Sequence, residues 1–164
     1  MERIPLESVY SICGITGYGH PMAHAEVVER LVGLWNDNGQ QDEVDDLVFE
    51  YVRRDLLYRI LGNTDNHGRN TCIMRVGGRF RLAPIYDLAS MIQDEEGITR
   101  TTKWAAERKG SSNWRDNCAE LVGYTDPDVL LQRLMNAAEA FRALPDLLTD
   151  APESMRNAAS LPVN

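Results

Sequence analysis

Apolar residues recur at helical spacing along much of the chain, and they predict a mainly α-helical protein. The clearest case is residues 42–61, where valine, leucine and tyrosine side chains fall on one broad stripe and Gly62 is expected to end the helix. A second helix is predicted over residues 23–35. A third is predicted over residues 127–144, because its start carries an aspartate cap followed by a proline. Two shorter helices are expected at residues 4–13 and 114–122.

A β-hairpin interrupts this helical pattern in the middle of the chain. Two short β-rich runs, TCIMRV and RFRLA, flank Gly77 and Gly78, and this arrangement is typical of a hairpin with a primed turn. Pro84 is expected to end the second strand, because proline cannot donate to a ladder. The glycine-rich stretch 14–20 and the polar stretch 94–113 are expected to be loops.

The chain has 164 residues, which suits one domain with a single hydrophobic core. We therefore predict a single domain over residues 1–164, of fold class mainly α with a small β-hairpin. Residues from about 146 to 164 are expected to form a partly flexible tail.

Charge is unevenly distributed along the chain. The net charge is −8, which disfavours strong direct binding to DNA. Residues 37–50 hold six acids and no base, whereas twelve of the seventeen basic residues lie between residues 53 and 115. A basic middle in an acidic chain suits an anionic ligand such as a nucleotide, although a solvated arginine-rich surface would give the same pattern.

Cysteine usage and hydropathy bear on the compartment. The three cysteines are far apart and form no CxxC pair, which is typical of a reducing cytoplasm. No apolar run approaches the roughly 20 residues that a membrane-spanning helix needs. The N-terminal sequence MERIPLESVY lacks the apolar segment of a secretory signal. We therefore expect a cytoplasmic protein without a membrane partner.

The stretch GNTDNHGRN, residues 62–70, concentrates groups that can hold metals or protons between the long helix and the hairpin. Asp65 is followed by His67 and Asn70, and Asp87 occurs just beyond the second strand, in PIYDLAS. Because a hairpin sends the chain out and back, Asp87 can return close to Asp65 and Asn70. Two carboxylates and an amide oxygen suit Mg²⁺ and phosphoryl transfer, with Arg69 and His67 as phosphate contacts.

The same residues also fit a plain polar turn. Asp and Asn are favoured in turns because they bond their own backbone and tolerate left-handed dihedral angles. On spacing alone, the pattern D-x-H-x-x-N does not separate a catalytic loop from a helix-to-strand connection.

The chain resembles a known family over these residues. D-x-H-x-x-N followed by a hairpin and a strand-end aspartate is similar to the catalytic and metal-binding loops of the kinase fold. The strings LLYRILGNTDNHGRNTCIM and FRLAPIYDLASM, with ERIPLESVYSICGI upstream, most resemble the C-terminal domain of HipA-type serine/threonine kinases. Those kinases are the toxins of bacterial toxin–antitoxin pairs. The resemblance runs from about residue 2 to about residue 91.

The resemblance implies the C-lobe of a protein-kinase-like fold that uses Mg and ATP. Asp65 matches the catalytic acid/base position, and Asn70 and Asp87 match the magnesium ligands. Asn70 and Arg69 are then expected to bind the nucleotide. His67 occupies the place of a phosphate-contacting lysine, but it could equally be a structural imidazole that holds the loop. The implied partners are a protein substrate with a Ser/Thr acceptor, a helix-turn-helix antitoxin and a separate N-lobe.

A kinase also needs an N-terminal lobe with a glycine-rich loop and a strand lysine. The residues before the loop predict helices, and both lysines, Lys103 and Lys109, follow it. We expect the chain to be a fragment of a longer gene, one half of a split kinase, or a degenerate remnant, and to be inactive without an N-lobe.

Two alternatives remain open at this point. The chain could be a non-catalytic remnant that binds an antitoxin, or a small-molecule phosphotransferase. In the latter, the stretch 94–113 could form the acceptor groove, with basic residues and Trp104; it could also dock a protein substrate or be a solvated loop. His20 and His24 are expected to be surface or capping residues.

Overall fold

A computed structural model describes residues 3–17, 19–89, 91, 99–107, 113–147, 149–150 and 152–153. This part of the chain is mainly helical and carries two small sheets. The helices are α1 (Val9–Ile12), α2 (His24–Asp37), α3 (Val44–Ile60), α4 (Trp114–Ala119), α5 (Pro127–Ala140) and α6 (Leu144–Leu147). The strands are β1 (Leu6–Ser8), β2 (Met22–Ala23), β3 (Cys72–Val76), β4 (Arg79–Leu82) and β5 (Thr102–Lys103).

Helices α2 and α3 form the centre of the core, as the apolar spacing predicts. Their inward side chains are almost completely removed from solvent, which gives each helix its main stabilisation. The most buried are Val27, Val28, Leu31, Val48 and Val52. Helix α5 packs on α3, and it contributes Leu130 and Leu134 to the same core.

Helix α3 ends in a Schellman cap at the residue that the sequence predicts. The N–H of Asn63 donates to the carbonyl of Tyr58 at 2.8 Å, and the N–H of Gly62 donates to the carbonyl of Arg59 at 3.2 Å. Gly62 has a φ of 67°, which glycine adopts without a steric penalty. The cap thereby determines where the chain leaves the helix and enters the stretch 63–70.

Strands β3 and β4 form the predicted hairpin. Gly77 and Gly78 have φ angles of 57° and 80°, as a primed turn requires. The register pairs Ile73 with Leu82 and Val76 with Arg79. The strand residues 71–76 and 79–83 of the prediction are shortened by one residue each in the structure.

Strand β1 was not predicted. It pairs antiparallel with β3, so that Leu6 lies opposite Met74 and the sheet has the order β1-β3-β4. The prediction of a helix over residues 4–13 is therefore wrong for its first half, and α1 is only Val9–Ile12. The partner strand lies far along the chain, and three residues are too few to show a period of two.

The outer edge of β4 is closed by the side chain of Gln40. Its Nε2 donates to the carbonyl of Phe80 at 3.1 Å, and its Oε1 accepts from the N–H of Phe80 at 2.7 Å. Gln40 is fully buried. One amide thus occupies the backbone groups that a neighbouring strand would use.

Part of the stretch 94–113 packs against the core. Strand β5 pairs in parallel with β2, through Met22 opposite Thr102 and Ala23 opposite Lys103. Trp104 follows directly and is 2% exposed. The expectation of a solvated loop is therefore wrong for strand β5 and for the buried Trp104, whereas residues 94–98 and 108–112 lie outside the described residues.

The C-terminal helices begin where predicted and are shorter than predicted. Asp126 caps α5 by accepting from the N–H groups of Asp128 and Val129 at 2.9 and 3.0 Å. Helix α5 ends at residue 140, and a short 3-10 turn leads into α6. The predicted tail 146–164 lies largely outside the described residues. No helix in the described part combines the length and apolar character needed to span a bilayer.

Candidate active site

The stretch 63–70 runs from the cap of α3 to the start of β3, and its backbone packs tightly against α1. The N–H of Tyr10 donates to the carbonyl of Gly68 at 3.1 Å. A Cβ atom added at Gly68 would lie 2.3 Å from Cδ1 of the Tyr10 ring, so only glycine fits at this position. Tyr10 is 2% exposed, and its hydroxyl donates to the carbonyl of His20, so the ring has little room to move.

One amide side chain connects Asp65 with Asp87. The Oδ1 atom of Asn63 accepts from the N–H of Asp65 at 2.9 Å, and its Nδ2 donates to the carbonyl of Asp87 at 3.2 Å. Asn63 is 3% exposed, so both bonds are shielded from water. The hairpin therefore returns Asp87 to the stretch that contains Asp65, as its out-and-back course led us to expect.

Asn70 lies in the same neighbourhood. Its Nδ2 donates to the carbonyl of Asp65 at 2.9 Å, which leaves Oδ1 as the atom of this amide that can bind a cation. Among the described residues, no group of three or more His, Cys, Asp or Glu side chains could hold a metal ion. A cation here would be bound by one amide oxygen and carboxylate oxygens, and other ligands would complete its shell.

His67 faces Asp65 across the stretch. Its Nδ1 accepts from the N–H of Arg69 at 3.3 Å, which assigns the ring proton to Nε2 in the neutral imidazole. Nε2 lies 3.4 Å from Oδ1 of Asp65. The imidazole thus accepts a bond from a backbone N–H of its own stretch, which is compatible with a structural role as well as with a catalytic one. Arg69 itself is exposed.

Asp87 has an unusual backbone conformation. Its φ is 55°, and it is the only non-glycine residue with a positive φ in the described part of the chain. Aspartate tolerates this left-handed region better than most residues do, and here the conformation sets the direction of the carboxylate. The residue is exposed, and its carboxylate makes no hydrogen bond or ion pair with the described residues. The carboxylate is thus available to a ligand.

Tyr86 makes a second connection between the end of the hairpin and the stretch 63–70. Its hydroxyl donates to the carbonyl of Arg69 and lies 2.8 Å from Sγ of Cys72. Burial and the adjacent Cys72 raise the pKa of Tyr86, so the hydroxyl stays protonated and acts as a donor. Residues 86 and 87 are therefore each bonded to the stretch 63–70.

Asn66 connects the opposite side of the stretch to strand β5. Its Oδ1 accepts from the N–H groups of Thr101 and Thr102 at 3.1 and 3.3 Å, and its Nδ2 donates to the carbonyl of Thr102 at 2.8 Å. The Thr102 hydroxyl donates to the carbonyl of Asn66 at 2.8 Å. Asn63 and Asn66 thus act as side-chain braces on the two sides of Asp65.

Behind the stretch, Asp55 of α3 is the centre of a buried polar cluster. Its carboxylate accepts from Nε1 of Trp104 at 2.8 Å and from Nε of Arg59 at 3.3 Å, and it also bonds Arg100. Nε2 of His24 lies 3.6 Å away. The Asp55 side chain is 3% exposed. We call these five residues the Asp55 cluster.

Ionisation within the Asp55 cluster follows from burial and charge. Burial lowers the pKa of His24 to about 4, so its ring is neutral at pH 7. Burial alone would raise the pKa of Asp55, but His24, Arg100 and Arg59 and the Trp104 N–H outweigh it and lower the value to about 2. Asp55 is therefore a buried carboxylate that shares Arg59 and Arg100 with the buried Glu107, and it links residues 100–104 to α3.

The Asp55 cluster corrects one expectation. His24 is 3% exposed and belongs to the core, so the interpretation as a surface or capping residue is wrong. The Arg100 side chain is 9% exposed and Trp104 is 2% exposed; both bond Asp55, and both also line a groove beside β5. Of the other residues proposed for an acceptor groove, Lys103 is exposed, and Arg108 and Lys109 lie outside the described residues.

An exposed apolar surface of the sheet adjoins the site. Leu6 and Val76 are 59% and 39% exposed, and Ile4 is 54% exposed. Alternation along β3 places Cys72, which contacts Tyr86, on the same face as Val76. We call the surface of Ile4, Leu6, Met74 and Val76 the apolar sheet face.

Several residues of the site were missed from the sequence. Asn63, Asn66 and Tyr86 position the stretch, yet the sequence interpretation assigned a role to only one of the three amides in it. The unusual number of asparagines between a helix cap and a strand could have indicated their structural role. Each amide side chain can donate to one backbone group and accept from another.

We expect Gly68→Ala to destabilise the protein by about 1–3 kcal/mol, because the new methyl group overlaps the buried Tyr10 ring. Chemical denaturation with urea measures the change. Gly33→Ala is the matched control: Gly33 lies in α2 with open space where a Cβ would lie, and the same substitution there should stabilise the helix by about 0.5–1 kcal/mol. Equal effects of the two substitutions would contradict the tight packing of the stretch.

The comparisons with known proteins agree with these observations. Residues 1–149 match the family model described as HipA-like C-terminal domain. No curated protein matches the chain. The matched residues include the stretch 63–70, the hairpin, Asp87 and the Asp55 cluster, and they make up most of the 164-residue sequence. The chain therefore belongs to the family of HipA-like C-terminal domains.

Proposed function

We propose that the chain is the catalytic C-lobe of a HipA-like serine/threonine protein kinase. With Mg and an N-terminal lobe, it transfers the γ-phosphate of ATP to a Ser/Thr hydroxyl of a protein substrate. Family membership and the arrangement of Asp65, Asn70 and Asp87 support this proposal. The C-lobe of a protein-kinase-like fold is the corresponding architecture.

One observation carries the proposal. A single buried amide, that of Asn63, is bonded both to the N–H of Asp65 and to the carbonyl of Asp87. A plain polar turn between a helix and a strand does not need an aspartate from beyond the following hairpin. The shared amide links Asp65 to Asp87, the residues that we propose as general base and metal ligand for phosphoryl transfer.

The donor atoms fit magnesium. The carboxylate of Asp87 and Oδ1 of Asn70 are hard oxygen ligands, and Mg²⁺ usually binds one or two such protein oxygens together with phosphate oxygens and water. When bound, the ion neutralises charge on the phosphate groups of the nucleotide. An amide as the second ligand keeps the site from becoming too anionic for a polyphosphate.

The remaining residues of the stretch have distinct roles in the proposed reaction. Asp65 accepts the proton of the incoming hydroxyl and orients its oxygen. His67 holds the Asp65 carboxylate in position through the 3.4 Å contact from its protonated Nε2. Arg69, which is exposed at the same edge, contacts the phosphate groups. These steps need positioning and charge neutralisation more than covalent chemistry.

The apolar sheet face suits the base of the nucleotide. It is exposed, it shares a face of β3 with Cys72, which contacts the Tyr86 hydroxyl, and an adenine base gains free energy when it covers apolar side chains. In the proposed kinase the N-lobe covers this base from the other side. A HipA-type kinase also implies a helix-turn-helix antitoxin as a partner.

The acceptor side has a corresponding groove. A groove of about 630 Å³ lies between the segments of β2 and β5, and its wall includes Thr101, which is bonded to Asn66 next to Asp65. Pro21, Met22 and Lys103 also line it. We propose that the protein substrate approaches Asp65 along this groove.

Binding of Mn²⁺ as a paramagnetic substitute for Mg²⁺ tests the metal site. In an electron paramagnetic resonance titration, the chain is expected to bind Mn²⁺, with higher affinity when ATP is present. Asp87→Asn should weaken this binding by at least about tenfold, because it removes a charged ligand. The substitution should leave the thermal midpoint almost unchanged, since the carboxylate makes no bond with the described residues.

Asp128→Asn is the matched control. Asp128 lies in α5 with a side chain 88% exposed, and it pairs only with the exposed Arg115 among the described residues. Its substitution should not change Mn²⁺ affinity. Equal Mn²⁺ affinities of the wild type and Asp87→Asn would reject Asp87 as a metal ligand.

A further inference from the structure

Residues 84–88 follow β4 without belonging to a strand, and the chain there has no ladder to hold it. Asp87 nevertheless has a left-handed conformation with a φ of 55°, which aspartate tolerates better than most residues. A change to a right-handed or extended conformation would move the carboxylate away from its present direction. Contacts from outside this segment therefore help to hold Asp87 in place.

Two side-chain hydrogen bonds link Asp87 and its neighbour Tyr86 to the stretch 63–70. On one side, Nδ2 of the buried Asn63 donates to the carbonyl of Asp87 at 3.2 Å. On the other side, the hydroxyl of Tyr86 donates to the carbonyl of Arg69, and Cys72 lies 2.8 Å from the same hydroxyl. Both bonds end on the stretch 63–70.

We propose that Asn63 and Tyr86 are positioning residues that hold the carboxylate of Asp87 at the distance from Asn70 that a shared divalent cation requires. The inference rests on the proposed function, since it assigns these two residues to the proposed metal site. Neither residue touches the reacting groups. Each acts through the backbone of Asp87, so its removal should weaken cation binding without removing a ligand.

The two residues differ in what they connect. Asn63 also accepts from the N–H of Asp65, so its removal loosens the base and the ligand together. Tyr86 bonds the Arg69 carbonyl and contacts the Cys72 sulfur instead of Asp65, so its removal should lower transfer only by weakening cation binding. Asn63→Ala is thus expected to lower both metal affinity and transfer, and Tyr86→Phe to act mainly through the metal.

The experiment measures Mn²⁺ affinity of the full chain by electron paramagnetic resonance and thermal stability by differential scanning fluorimetry. Tyr86→Phe and Asn63→Ala should each raise the Mn²⁺ dissociation constant by about 10- to 100-fold. The controls are Tyr124→Phe, in the turn after α4, and Asn38→Ala, whose amide bonds the hairpin turn at Gly78. Both controls should retain the wild-type dissociation constant.

The outcomes separate this inference from the proposed function. If Asp87→Asn loses Mn²⁺ binding while Tyr86→Phe and Asn63→Ala both keep the wild-type affinity, the metal site stands and the positioning role is rejected. If the wild type itself binds no Mn²⁺, the metal site is rejected. Crystal structures of the two variants then show whether Asp87 keeps its positive φ. A positive φ of Asp87 in both variants overturns the positioning role. A negative φ of Asp87 supports that role.

Folding defects are separated from positioning by the comparison with the controls. A structural role alone would lower the thermal midpoint and leave the affinity of the folded fraction unchanged. If one variant fails to fold, the Mn²⁺ affinity of the other variant, compared with that of its control, decides the outcome.

Discussion

Replacing Asp55 by alanine is expected to destabilise the protein by about 3–5 kcal/mol, the largest loss from any single substitution that we predict. The substitution removes one of the two carboxylates that Arg59 and Arg100 share, so that Glu107 alone has to compensate both guanidinium groups. Trp104 also loses the acceptor for its indole N–H. Domains of this size have total stabilities of about 5–15 kcal/mol, so a large part of the stability would be lost. Urea denaturation followed by circular dichroism measures the change.

Asp46→Ala is the matched control because it removes the same side chain from the same helix. Asp46 has a side chain 80% exposed and is paired with Arg133 at 2.6 Å. Exposed ion pairs contribute about 0–1 kcal/mol, so the control should lose little stability. If Asp55→Ala were as mild as Asp46→Ala, the Asp55 cluster would not be what fastens residues 100–104 to α3.

Replacing Asp65 by asparagine is expected to lower phosphoryl transfer by about 10²–10⁴-fold in the chain supplied with a HipA-type N-lobe. Asparagine has nearly the same shape and can still hydrogen-bond a hydroxyl, but it cannot accept the proton. The backbone N–H of residue 65 keeps its bond to Asn63, so the stretch should keep its conformation. Transfer of labelled phosphate from Mg-ATP to protein measures the effect.

The comparison with Asp87→Asn separates the base from the metal ligand. Asp65→Asn should retain the wild-type Mn²⁺ affinity, whereas Asp87→Asn should lose both Mn²⁺ binding and transfer. Asp128→Asn should affect neither. Wild-type transfer by Asp65→Asn would exclude Asp65 as the general base, and labelled metabolite without labelled protein would favour a small-molecule phosphotransferase over a protein kinase.

The main helices and the hairpin could be predicted because local spacing encodes them. The stripe of α3 and the glycine that ends it both lie within one segment, and Gly77 and Gly78 specify the turn between β3 and β4 by their backbone freedom alone. Strands β1 and β5 could not be predicted in the same way. Each is two or three residues long and is defined by a partner strand distant in sequence.

The Asp55 cluster was missed for a related physical reason. Whether a histidine or an arginine is buried depends on the partner that compensates its desolvation, and that partner was on another element. A signal was present in α3: Asp55 falls seven residues after Val48 and three after Val52, on the apolar stripe. An acid at a core position of a helix indicates buried partners of opposite charge.

Part of the candidate site could be predicted from residue spacing and chain topology. The return of Asp87 towards Asp65 follows from the hairpin between them, and it was expected from the sequence. The side-chain bonds that hold the two together, from Asn63 and Tyr86, depend on distances that no spacing rule supplies. The catalytic and metal-binding roles of Asp65, Asn70 and Asp87 stay predictions that the experiments above test.

The amide of Gln40 makes the two borders of the three-stranded sheet unequal. On the β4 border, the N–H and carbonyl of Phe80 already have a partner within the same chain, so an added strand could pair with Phe80 only by displacing the Gln40 amide. Addition of a strand is thereby disfavoured at this border. A single buried glutamine thus protects part of the sheet from association with another chain.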